Sequence, residues 1–155
     1  MRLSKNFVLS EITRSNTAKR LNISNEPNKK HLQNLQRLIS NVIQPMRDNL
    51  GPIRISSGYR SKELNRTIGG SSKSQHCKGE ALDIQFWKEG RMFNKEIYDY
   101  ILNSNMEFDQ MINEFDFSWV HISLKEKGNR KQTLEAYHDE DGDTKYRYAD
   151  LKSSI

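Results

Sequence analysis

Cysteine is nearly absent from this 155-residue chain, with Cys77 the single example. No intramolecular disulfide can form, so the chain suits a reducing compartment. The lack also removes the multi-cysteine ligand sets that close most structural zinc sites. No run of about 18 apolar residues exists, which excludes a helical membrane span. The first 25 residues hold no apolar signal core, giving the expectation of a protein made in the cytoplasm without a signal peptide. Apolar residues make up 34% of the chain, low for a globular protein, so loops and solvated faces should be extensive. Neither internal repeats nor low-complexity segments occur. The length suits one domain spanning 1–155, enough for one core and too little for two.

Charge is plentiful but uneven. Residues 1–80 carry 15 Lys/Arg against 5 Asp/Glu, and residues 81–155 carry 10 against 15. A basic half of this kind faces a polyanion or is simply a solvated surface. Zinc-finger spacing, aromatic-rich RNA-binding signatures and concentrated basic runs are all missing. No specific nucleic-acid partner is therefore expected, and an anionic cell wall and a merely solvated surface both stay open.

From His31 to Leu50 the apolar residues Leu32, Leu35, Leu38, Ile39, Val42, Ile43 and Met46 recur at three- and four-residue steps. That spacing predicts one helix with a buried stripe. Asn25-Glu26-Pro27 offers its start, and Pro45 should bend or locally break it near its end. Strands are expected at Ile53–Ser56, around Asp83, at Phe108–Glu114 and at Trp119–Leu124, with a second helix between Met92 and Leu102. Residues 57–70 hold at most a short helix. Residues 125–155 form a polar extension, in which Asp141-Gly142 marks the turn of a hairpin between Leu134–His138 and Tyr146–Tyr148.

Strand alternation locates the chemistry. In Leu82-Asp83-Ile84 and Val120-His121-Ile122 the polar residue points away from its apolar neighbours. Each segment thus turns one face to a core and presents a metal-binding side chain on the other. His76 lies just before Lys78-Gly79, where glycine permits a tight turn back towards Asp83. His76, Asp83 and His121 form a two-histidine, one-carboxylate set, the ligand count of a catalytic Zn2+ that keeps a position open for water. Cys77, beside His76, is a weaker candidate because adjacent strand residues point to opposite faces.

The segments Ser56-Ser57-Gly58-Tyr59-Arg60-Ser61, Asn65, Ile68-Gly69-Gly70-Ser71, Ser74-Gln75-His76, Gly79-Glu80-Ala81-Leu82-Asp83-Ile84 and Trp119-Val120-His121-Ile122-Ser123 together resemble the zinc D-Ala-D-Ala carboxypeptidase family, peptidase M15. The pattern Ser-x-His-x-x-Gly-x-Ala-x-Asp is present without a departure at Ser74, His76, Gly79, Ala81 and Asp83. The likeness covers about residues 7–124 and is strongest to the short phage and prophage branch, which includes endolysins and shares its fold with hedgehog signalling domains. It implies an α+β fold, a small antiparallel sheet carrying the zinc site and packed against N-terminal and central helices. It also implies a zinc-dependent metallopeptidase, a monomer acting at the bacterial cell wall on peptidoglycan stem peptides that contain D-amino acids. Either carboxypeptidase or endopeptidase regiochemistry fits.

Relatives often place the general base three residues before the last histidine. Ser118 stands there, so Glu114 at the end of the preceding strand is the expected base, with Asp116 on the turn as second choice. A zinc-bearing wall-binding module without catalysis is the alternative if neither serves. Arg60 matches the family's arginine for substrate carboxylate and oxyanion. Ser74 is expected to touch substrate or orient the zinc site, and Gln110 to donate to a substrate carbonyl, although Ile112 would share its face. Tyr59 and Trp119 fit a core role as well as a site role.

Overall fold

The structure is a computed structural model and describes residues 1–149. Two short helices, α1 (Leu9–Thr13) and α2 (Asn16–Leu21), precede α3 (Lys29–Leu38). Asn28 caps α3 by accepting the His31 N–H at 2.8 Å, so Pro27 lies just outside the helix and not in its first turn. A wide π-helical turn, Ile39–Ile43, then leads into α4 (Gln44–Leu50). There the Gln44 N–H reaches back five residues to the Ile39 carbonyl. The widened turn sits directly before Pro45, whose ring would clash with the carbonyl of a regular α-turn. The expected break at Pro45 is thus absorbed one turn earlier, and the helical path continues. Leu35, Leu38, Ile39, Val42, Ile43 and Met46 are all fully buried.

Next come β1 (Ile53–Ser57), α5 (Lys62–Thr67), a 3₁₀ turn at Gln75–Lys78, β2 (Ala81–Lys88), β3 (Arg91–Met92) and α6 (Asn94–Leu102). The described residues continue through β4 (Gln110–Glu114), β5 (Trp119–Ser123), β6 (Gln132–His138) and β7 (Thr144–Tyr148). The sheet order is β1-β2-β5-β4-β6-β7, with β3 pairing β2 at one end. The hairpin read around Asp141-Gly142 is present as β6 and β7, while residues 150–155 of the expected extension lie outside the described residues.

The strands that carry the site, β1, β2, β5 and β4, pair antiparallel as expected, and the hairpin beyond them makes the whole sheet mixed, because β4 and β6 run parallel. β5 ends at the edge where β4 begins, and residues 124–131 pass that edge to emerge on the other side of β4. A strand entered from that end has to run in the direction of β4. Asp109 clamps the crossing. Its Oδ1 accepts the Arg130 backbone N–H and Nε–H at 3.0 Å each, and its Oδ2 accepts Arg130 Nη2 at 2.8 Å.

One face of the sheet carries Leu82, Ile84, Phe86, Met111, Val120 and Ile122, which join α3, α4 and α6 in the core. Burying an aliphatic or aromatic side chain stabilises by roughly 1.5–3 kcal/mol, so this face holds the sheet in place. The opposite face is left open for a site.

Candidate metal centre

β2 and β5 place Asp83 directly opposite His121 on the open face. His121 Nδ1 lies 3.0 Å from Asp83 Oδ1, and His76 Nε2 lies 3.3 Å from the same oxygen. The two imidazole rings meet edge to face at 5.2 Å. His76, Asp83 and His121 each offer one donor atom within 4.8 Å of the others.

His76 arrives by a different route from the strand residues, on the 3₁₀ turn. Ser74 caps that turn, its Oγ accepting the His76 N–H at 3.2 Å, and Gly79 closes it in the left-handed conformation at φ 72°. A side chain at Gly79 would also meet the His31 carbonyl at 2.3 Å. The other anchor is backbone: His76 Nδ1 donates to the Gly58 carbonyl at 2.8 Å. This fixes the tautomer with a bare Nε2 turned to Asp83. A lone pair and a carboxylate oxygen then face each other across 3.3 Å, an arrangement satisfied by a proton or by a cation between them.

Burial alone would raise the Asp83 carboxyl, but in the state with a proton on His76 Nε2 the His76 charge and hydrogen bonds from His121 and His76 hold it well below the usual carboxylate range. Glu114 goes the other way. Burial, then the Asp83 charge, pushes it up to about 7 against a smaller opposing pull from His121. Since Ile112 pairs with His121, Glu114 is the diagonal neighbour of His121 on the same face.

The centre opens into a cleft of about 920 Å³ that brings together the expected metal ligands, first-choice base and substrate contacts: Arg60, Ser74, His76, Asp83, Gln110, Glu114 and His121. Ile112 and Trp119 line it too, so the shared face of Gln110, Ile112 and Glu114 is real. Asp116 does not reach it. It lines a separate hollow with Asn113, Glu135 and Arg147. Ser118 is spent on the β4–β5 turn, giving its hydroxyl proton to the Phe115 carbonyl at 2.8 Å. Arg60 donates through Nη2 to Ser74 Oγ at 3.3 Å, and its Nε is buried without a hydrogen-bond partner. Cys77 is buried and outside the donor group, and Tyr59 is core, with its hydroxyl 3.0 Å from His31 Nδ1.

Several supports have no side-chain signature in the sequence. Gly58 acts through its carbonyl. Asn25, read as a helix start, instead ties down the arginine loop: its Nδ2 donates to the Tyr59 carbonyl at 3.0 Å and its Oδ1 accepts the Ser61 N–H at 2.7 Å. Asp109 Oδ2 accepts from Gln75 at 3.1 Å, which steadies the turn bearing His76. Among the described residues a second acidic group, Asp139, Asp141 and Asp143, lies on the β6–β7 turn.

No match was found among curated proteins. The family model for Peptidase M15 matches residues 5–123, the span that holds every member of the centre and its cleft-side partners from Arg60 to His121. By that match the chain belongs to the peptidase M15 family.

Proposed function

We propose that this chain is a zinc metallopeptidase that cleaves D-amino-acid-containing stem peptides of peptidoglycan at the bacterial cell wall, acting as a monomer. The likeness to the short phage and prophage branch belongs to the same proposal. The observation that carries it is the His76 tautomer: with Nδ1 committed to Gly58, Nε2 and Asp83 Oδ1, 3.3 Å apart, form a donor pair suited to a cation, and His121 completes it. His76, Asp83 and His121 would hold the Zn2+. Bound there, zinc supplies a Lewis acid that polarises the scissile carbonyl and brings the pKa of a water near neutrality.

The remaining work falls to side chains. Glu114, diagonal to His121 on the open face, takes a proton from the attacking water as oxygen bonds to the amide carbon. It returns that proton to the nitrogen as the C–N bond breaks. Arg60, which lines the cleft beside Ser74, binds a substrate carboxylate or the developing oxyanion. Ser74 already accepts from Arg60 and His76, and its own proton remains for substrate. Gln110 gives one amide proton to Gln132 at 2.8 Å and keeps a second for a peptide carbonyl.

Digestion of purified peptidoglycan tests the reading. Peptide release that stops with a chelator and returns with zinc is expected. Tight zinc binding with no release of any wall peptide would favour the non-catalytic binding module instead.

A further inference from the structure

The family match ends at residue 123, yet the cleft does not. Leu134, Thr144 and Tyr146 of the β6–β7 hairpin line it together with the metal centre. Strand register accounts for this. One row of paired residues crosses the open face from Asp83 through His121, Ile112 and Leu134 to Tyr148. The adjacent row runs from Glu114 through Ala136 to Tyr146. Ala136 has only a methyl group, so nothing bulky stands between Glu114 and the tyrosine two strands, about 10 Å, away. The phenol lies within electrostatic reach of the centre: burial, then the charges of Glu114 and Asp83, raise its pKa. Tyr146 is nonetheless 55% exposed on an edge strand whose residues are all exposed, so it is not a core side chain.

The cleft is therefore polarised. Arg60 and Ser74 stand at one end, by β1 and the 3₁₀ turn, and Ile112, Leu134 and Tyr146 stand at the other. We infer that Tyr146 is a substrate-contacting, specificity-determining residue whose ring receives the peptide segment on the side of the scissile bond remote from Arg60, through aliphatic stem and peptide-plane contacts. The inference rests on the metallopeptidase reading. Loss of the apolar area such a ring covers should weaken binding roughly 3- to 10-fold.

Tyr148 supplies the control. It sits two residues along the same hairpin face, is 74% exposed and does not line the cleft. Steady-state kinetics on muropeptides solubilised from purified peptidoglycan compare wild type with Tyr146→Ala, Tyr146→Phe and Tyr148→Ala, each checked for unchanged Tm and zinc content. Tyr146→Ala should raise KM about 3- to 10-fold with kcat within about twofold, while Tyr146→Phe and Tyr148→Ala stay near wild type. An unchanged KM in Tyr146→Ala, or an equal rise in Tyr148→Ala, overturns the assignment while leaving the peptidase reading in place. A wild type that releases nothing overturns both.

Discussion

His76 Nδ1 donates to the Gly58 carbonyl oxygen at 2.8 Å, and that bond decides which imidazole nitrogen faces Asp83. The carbonyl is held in turn by tight packing: a Cβ at position 58 would lie 2.1 Å from the Ile12 carbonyl oxygen. Only glycine lets the chain just after β1 approach α1 so closely. Gly58→Ala should therefore lower Tm and weaken zinc affinity about 10- to 100-fold, the scale on which partners of a metal-bound histidine act. Competition titration against a chromophoric chelator checks it. Unchanged affinity would mean that this backbone bond does not orient His76.

Replacing Arg60 separates substrate handling from metal binding. Arg60→Ala should leave zinc content intact, since a guanidinium is no ligand, and cut peptide turnover by a factor of about 10 to 1,000 as a charge-assisted contact is lost. Loss of zinc in this variant would instead assign Arg60 to holding the His76 turn through Ser74.

Glu114 carries a pH signature. Its folded pKa of about 7 stands above the ordinary 4.5, so between those values the metal-free folded protein binds a proton that the unfolded chain has lost. Stability contributed by the neutral carboxyl is complete below about 4.5 and is lost as pH rises through about 7. Metal-free Glu114→Gln should accordingly melt above wild type at pH 8 and level with it at pH 4. Activity should fall about 100- to 10,000-fold in the same variant with zinc retained. A Tm difference independent of pH would contradict the buried-carboxyl assignment.

The Asp109–Arg130 clamp is a stability element on the edge of the site. Asp109 has a fully buried side chain; burial raises its pKa, but the hydrogen bonds and charge of Arg130 outweigh that and leave it lowered. Its stabilising contribution is present above the ordinary carboxylate range and is lost as pH falls through the lowered value. Arg130 is itself 47% exposed, so the scale is that of a lost hydrogen bond to a buried charge, about 1–3 kcal/mol. Denaturant unfolding of Asp109→Asn should show a loss of that order, and a loss below about 1 kcal/mol would place the pair among solvent-screened bridges.

Much of the centre was legible because its chemistry sits on alternating strands. Asp83 and His121 are each flanked by residues that are fully buried, Leu82 and Ile84, Val120 and Ile122, and that contrast is visible in the sequence. The buried stripe from Leu35 to Met46 was legible for the same reason at helical spacing. What stayed hidden depends on distant contacts. The direction of β6 follows from where the chain crosses below β4, which no local pattern records. Asp109 and Arg130 meet only because that crossing occurs. Gly58 works through a carbonyl, and the role of Tyr146 follows from Ala136 lying beside it in the neighbouring strand.

Anomalous diffraction at the zinc edge from crystals of the zinc-loaded protein tests the metal centre most directly. One dominant peak is expected within bonding distance of His76 Nε2, Asp83 and His121 Nδ1, and it should vanish in His121→Ala. A peak at the Asp139–Asp143 turn alone, or no peak at the three side chains in protein that still cleaves wall peptides, would contradict the assignment.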